Sequence, residues 1–171
     1  VEVHPEIPTL LTVNWTQAVA ADEAWIEFTF EDGTWEQSPV QAGDVGEHSE
    51  VVLGVPTDTT VDIRIANQQD MEVTYSLATY TQTTGPLPDE LHLANVYIND
   101  PSIMSHERFM MSTISVGSAS SGYGGPCWVI ITDRQGRYVW FWEVPDSRLS
   151  LFAQITSDGR YIMFDGTTHY V

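Results

Sequence analysis

Five histidines and a single cysteine are the residues of this chain best suited to metal or nucleophilic chemistry. The histidines are His4, His48, His92, His106 and His169. None forms His-x-His, His-x3-His or the His-Glu-x-x-His pair that holds zinc from one helix face. The stretch His106-Glu107-Arg108-Phe109-Met110 has the first His and the Glu but lacks the second His. No metal site is expected, and no cofactor. His169 is the weak catalytic candidate, because it follows a strand-like stretch. The plain alternative is a loop histidine near a chain end, since a lone imidazole is rarely catalytic. Cys127 has no partner for an internal disulfide. It opens an apolar run, Cys127-Trp128-Val129, where a buried and inert thiol is the default. A nucleophilic thiol needs a base beside it, and the histidines nearest in sequence, His106 and His169, carry no motif that supplies one.

Charge narrows the partners. Asp and Glu number 24 against six basic residues, all of them Arg, for a net charge of −18. Phosphate backbones and anionic lipid are repelled by such a chain, so nucleic acid is excluded as a partner and docking on a charged membrane is disfavoured. No run approaches the roughly 18 apolar residues of a membrane helix, so no membrane insertion is expected. The acidity reads as a solubility device suited to a salty medium that screens self-repulsion. Calcium binding through clustered carboxylates is the sharper reading, and no Asp-x-Asp-x-Asp-Gly loop supports it. The chain has neither an initiator Met nor a signal peptide, and reads as mature or trimmed.

The elements that must position these groups are strands. LLTVNWT (10–16), AWIEFTF (24–30), EVVLGV (50–55), TVDIRI (60–65) and VTYSLATY (73–80) alternate or run apolar and are rich in Val, Ile, Thr and aromatics. Turn chemistry separates them at Glu31-Asp32-Gly33, Gln41-Ala42-Gly43-Asp44, Pro56-Thr57-Asp58 and Asn67-Gln68-Gln69-Asp70. Strands at this spacing, with no helical period between them, predict a β-sandwich over roughly residues 5–84, with Trp15 buried between its sheets. TQTTGPLPDE (81–90) is a polar, Pro-containing connection and sets a domain boundary, giving units 1–85 and 86–171. SASSGYGGP (118–126) fits neither G-x-G-x-x-G nor a Walker loop and reads as a surface loop. Asn14-Trp15-Thr16 is a formal glycosylation sequon inside a strand, read as chance. Trp25, Trp35 and Tyr80 are candidates for an aromatic ligand platform, with inter-strand packing expected for at least two of them.

The last segment echoes itself. ITDRQGRYVWFW (131–142) and ITSDGRYIMFD (155–165) share Ile-Thr, a polar turn with Gly, and Arg-Tyr before apolar residues. Arg137 and Arg160, the matched arginines, lie 23 residues apart. Each copy reads as a hairpin, with turns centred on Arg134-Gln135 and on Asp158-Gly159. The pairings expected are 128–132 with 137–143 and 151–156 with 160–165. Four antiparallel strands in about 40 residues make one propeller blade. In the strand YVWFWEV, alternation puts Tyr138, Trp140, Trp142 and Val144 on one face, and Val139 and Phe141 on the other. Both faces are apolar, as in the inner strands of stacked blades.

These stretches resemble known families. PTLLTVNWT, with HSEVVLGVPTDTTVDIRIAN and SLATYTQTTGPLP, resembles a fibronectin type III domain, although Val61 stands where that family usually has the tyrosine of its corner. Asp133-Arg134-Gln135-Gly136-Arg137-Tyr138-Val139-Trp140 and Ser157-Asp158-Gly159-Arg160-Tyr161-Ile162 resemble the opening blade of bacterial arylsulfotransferases. The resemblance implies an all-β chain: a fibronectin III/immunoglobulin-like sandwich over 1–85, then one or two antiparallel blades of an incomplete β-propeller over 86–171. It implies a secreted, cell-surface or periplasmic protein that moves a sulfuryl group between phenols through a sulfated histidine. A phenolic sulfate is then the substrate, and the histidine belongs to later blades. His169, which follows a blade strand, is the weak candidate to face such an axis. The alternative is a non-catalytic extracellular binding or assembly module. The roughly 85 residues after the boundary suffice for about two blades, and closed propellers need about four or more. The chain therefore reads as a fragment. The remainder of the propeller, or another chain packing on 128–171, is expected to cover the second face of YVWFWEV.

Overall fold

The computed structural model describes residues 1–31, 33–92, 96, 100, 108–116, 126–145, 152–156 and 161–165. The protein is all-β, with no helix among these residues. It divides into two compact units, Val1–Pro86 and Leu87–Val171.

Nine described strands build the first unit: β1 (Glu2–Val3), β2 (Leu11–Gln17), β3 (Glu23–Thr29), β4 (Glu36–Gln37), β5 (Gln41–Ala42), β6 (Gly46–Val52), β7 (Thr60–Gln69), β8 (Glu72–Tyr75) and β9 (Tyr80–Thr83). They form two antiparallel sheets. One has the order β1-β2-β6; the other runs β4-β3-β7-β8, with β5 also on β3 and β9 also on β7. Period-two alternation turns Leu11 and Val13 of β2, Ile26 and Phe28 of β3, and Val61, Ile63 and Ile65 of β7 into one shared core. Val52 and Val55 complete it.

Three boundaries differ from the sequence reading. β6 begins at Gly46, because Gly46–Val52 continues the alternation that ends on buried Val52. β7 runs on to Gln69 through the first three residues of the expected Asn67-Gln68-Gln69-Asp70 turn. The reversal falls instead at Asp70, whose φ of 55° is the left-handed conformation that Asp tolerates. VTYSLATY is not one strand. It breaks at Ser76, whose hydroxyl accepts from the Ile65 N–H (3.1 Å) and donates to the Ala78 carbonyl (2.8 Å).

The unit is closed by its last residues. The buried Thr84 hydroxyl accepts from the Thr59 N–H (2.9 Å) and donates to the Pro56 carbonyl (2.6 Å). Gly85 donates its N–H to the Pro8 carbonyl at 2.7 Å. A Cβ on Gly85 would lie 2.5 Å from the Pro8 Cβ, so only glycine fits this approach.

The second unit contains β10 (Phe109–Ser115), β11 (Cys127–Asp133) and β12 (Tyr138–Val144), paired in that order, and a separate hairpin of β13 (Ala153–Ile155) and β14 (Ile162–Phe164). All pairings are antiparallel. The β11–β12 turn is held by Asp133. Its carboxylate accepts from the N–H groups of Gln135 and Arg137, both at 2.9 Å, and from Arg137 Nε at 2.7 Å. Gly136 supplies the left-handed residue, with φ of 80°. The Asp158-Gly159 turn lies outside the described residues.

Two corrections concern YVWFWEV. First, a bulge opposite Ile131 and Thr132 makes Val139 the extra residue, since Ile131 pairs with Trp140 and Thr132 with Tyr138. Tyr138 therefore moves to the face of Ile130 and Phe141. Second, the chain itself covers both faces to a large degree. Leu87 and Leu91 pack on the Trp128, Ile130, Tyr138 and Phe141 side. Ala153 and Ile162, from the hairpin, pack on the Cys127, Val129, Val144 and Trp140 side. Tyr138, Val139 and Phe141 are buried, and Trp140 and Trp142 are half-buried. The expectation that nothing within these 171 residues reaches the second face is overturned, because Leu87–Leu91 and a hairpin of only six paired residues are enough to reach one face each.

Candidate functional site

The first unit carries a cleft of about 490 Å³ lined by Val13, Trp15, Gln17, Ile65, Asn67 and Tyr80, with Val1, Asn14, Thr16 and Ser76 at its margin. Register explains the set. Val13, Trp15 and Gln17 share the inward face of β2 with Leu11, and Ile65 and Asn67 share that of β7 with Ile63. Tyr80 pairs directly with Ile63, so it also points inward, at the sheet margin. The core thus changes character along its length: aliphatic around Leu11 and Ile63, then aromatic and amide-bearing. Buried Gln17 joins the two sheets by donating its Nε2 to Asn67 Oδ1 at 2.9 Å.

Trp15 is half-buried at this open end instead of fully enclosed. It stacks on His48, its cross-strand partner, with ring centroids 5.1 Å apart and an interplanar angle of 16°. His48 Nε2 donates to the Asp44 carbonyl at 2.7 Å, and its Nδ1 lies 3.3 Å from Gln41 Oε1. Gln41 in turn donates to Glu50 Oε2 at 3.4 Å. The Trp15 indole N–H is buried with no hydrogen-bond partner among the described residues. The alternation of HSEVV was the available signal for His48: it shares the face of Val52.

The three candidate platform aromatics are separated. Tyr80 reaches the cleft. Trp25 and Trp35 belong to the outer face of the β3–β7 sheet, where Arg64 is the organising residue. Arg64 lies opposite Glu27 in register and donates both Nε (2.8 Å) and Nη2 (2.6 Å) to Glu27 Oε2. Its guanidinium carbon sits 4.0 Å from the Trp35 ring centroid and 3.9 Å from that of Tyr75, a cation held against two rings. Trp25 is buried beside this stack and donates its indole N–H to Glu27 Oε1 at 3.3 Å.

The other candidates find structural places. His4 Nδ1 accepts from the N–H groups of Glu6 and Ile7 in the first turn. The His92 carbonyl accepts from the Tyr138 hydroxyl at 2.9 Å. Burial raises the Tyr138 phenol above its ordinary pKa of 10.0. Cys127 is a buried thiol packed with Val129 and Val144. His106 and His169 lie outside the described residues. Among those residues no group of three or more His, Cys, Asp or Glu is placed to hold a metal, and no helix is long and apolar enough to cross a membrane. No family model, no curated protein and no solved structure matches the chain.

Proposed function

We propose that the chain is a non-catalytic extracellular binding or assembly module, built as a fibronectin III-like sandwich followed by strands of propeller-like blades. The cleft of the first unit carries this reading. Its lining of two aromatic rings, three amides and three hydroxyls is the chemistry of recognition: flat apolar surface with a few directional polar groups. Three strands facing a four-strand path across one core support the sandwich.

The second reading is the N-terminal portion of an arylsulfotransferase-like protein acting on a phenolic sulfate. One observation favours it: β13–β14 does not extend the β10–β12 sheet but lies against its face, as a following blade would. On that reading the remainder of the propeller, or another chain, packs beyond the hairpin, and His169 is the nucleophile candidate.

Sulfuryl transfer from a chromogenic phenyl sulfate to a phenol tests the form of the second reading in which His169 is the nucleophile. The module reading expects no turnover by the 171-residue chain. Turnover that disappears in His169→Ala would replace it with the enzyme.

A further inference from the structure

One end of the sandwich is made of turns that show apolar side chains where turns are normally polar. Register brings three of them to that end. Gln17 of β2 pairs with Gly46 of β6, and Glu23 of β3 pairs with both Ala42 of β5 and Gln68 of β7. The β2–β3, β5–β6 and β7–β8 turns therefore share it. Each carries an apolar tip: Val19 is 75% exposed, Val45 64% and Met71 96%. Ala18 and Ala20 are exposed beside Val19.

The turns are tied to one another. Buried Gln17 donates its Nε2 to the Val19 carbonyl at 2.8 Å. The Ala21 N–H donates to the Gly43 carbonyl at 2.8 Å, and a Cβ on Gly43 would lie 2.8 Å from the Ala21 oxygen. The Asp22 carboxylate accepts from the Asp70 N–H at 2.7 Å and from Gln69 Nε2 at 3.3 Å. Tips held in place in this way lose little further freedom on binding.

Charge selects the occupant. Asp22, Glu23, Asp44, Glu47, Asp70 and Glu72 are exposed at the same end. No Lys or Arg precedes Arg64, which is engaged by Glu27, and none follows it until Arg108. Such a rim repels lipid phosphates, and it repels a second copy of this chain with its net charge of −18. An apolar centre inside a polar rim is the anatomy of a contact between proteins.

We infer that this end docks a partner protein through an apolar patch ringed by Lys and Arg. Val19, Val45 and Met71 enter the patch, and the carboxylates meet its rim. Charge steers the encounter, so salt weakens it. The surface does not depend on the cleft: sulfuryl transfer by the chain would sink the module reading and leave this docking surface standing.

An NMR titration of the ¹⁵N-labelled chain with an amphipathic helical peptide, leucine on one face and lysine on the other, presents that chemistry. The peptide is expected to shift the Val19, Val45 and Met71 amides saturably and to leave those of Leu11 and Ile63 in place. Its twins with serine for each leucine, or glutamate for each lysine, should bind at least tenfold more weakly. The combined variant Val19→Ser, Val45→Ser, Met71→Ser changes only exposed side chains and should lower affinity at least tenfold. Should it fail to fold, Met71→Ser alone should lower affinity at least threefold. Equal binding by a folded variant, or by either twin, overturns the inference, as does a silent titration. Binding to phosphatidylcholine vesicles that the variant loses would also overturn it, by giving the tips to a membrane.

Discussion

Asp133 organises the β11–β12 turn of the second unit. One buried carboxylate satisfies two main-chain donors and one guanidinium donor across a turn. Hydrogen bonds to charged groups contribute about 1.5–3 kcal/mol, and the orphaned donors add desolvation. Asp133→Ala is expected to lower the stability of this unit by about 2–3 kcal/mol, read as a shift of its denaturation midpoint, while an unchanged midpoint would show that the turn does not depend on the carboxylate. This role was legible from Asp133-Arg134-Gln135-Gly136, whose turn chemistry is local. Tyr138 was not legible in the same way, because a bulge is an insertion between two strands and leaves no mark on the alternation of one. Its phenol, raised by burial, yields a pH dependence of definite sign. The folded state holds the proton more tightly than the unfolded state. Stability is thus fully present below pH 10 and declines as pH rises above it. Ionisation also removes the donor to the His92 carbonyl. Tyr138→Phe should flatten the alkaline loss and delete one late-titrating phenol from the absorbance titration; an alkaline limb identical in the variant would assign that loss elsewhere.

At the scale of elements, the ends of strands carry as much information as their middles. The exit Thr83-Thr84-Gly85 is knotted to the β6–β7 connection through the Thr84 hydroxyl and to Pro8 through the Gly85 N–H. The Thr84 hydroxyl fastens this corner. Thr84→Val keeps the shape and strands the Thr59 N–H and the Pro56 carbonyl, at an expected loss of about 1–3 kcal/mol. Gly85→Ala adds a methyl against Pro8 and should destabilise by a similar amount. Thermal melts of both variants check this, and wild-type midpoints would refute the closure. The Thr-Thr-Gly run was visible in the sequence as a boundary; its partners 25 or more residues away were not. Likewise, two apolar faces of β12 were visible from alternation, but not that Leu87, Leu91 and a two-stranded hairpin would reach them. Cys127 reports on that packing. With the thiol buried against Val129 and Val144, labelling by an aromatic disulfide reagent should proceed only on unfolding of the unit. Rapid stoichiometric labelling of the native protein would mean that this face opens.

For the molecule as a whole, strand content and the position of the core followed from period-two patterning, whereas the cleft could not. It exists because Tyr80 pairs with Ile63 and because Gln17 meets Asn67 across two sheets, both of them tertiary facts. The Arg64 stack has the same origin, since only register brings Glu27, Trp35 and Tyr75 to one cation. Net charge, by contrast, is fully legible, and its consequence belongs to the whole chain. A charge of −18 with only six arginines leaves most carboxylates without a possible ionic partner. Their mutual repulsion disfavours the compact state and is screened with a length of about 30 Å at 0.01 M salt but only about 3 Å at 1 M. The described ion pairs, Arg64–Glu27 and Arg137–Asp133, would be weakened by salt, but both are partly buried and hence screened less than the exposed carboxylates. The repulsive contribution should win. The melting temperature is expected to rise by several degrees between 0.01 M and 1 M sodium chloride, with most of the gain below about 0.3 M, where the screening length changes fastest. Scanning calorimetry across that range decides the matter, with sodium sulfate as the control for salting-out, which continues to act at high concentration. A midpoint that is flat in chloride, or that falls, would show that the acidic surface is already neutralised by arrangement within the fold.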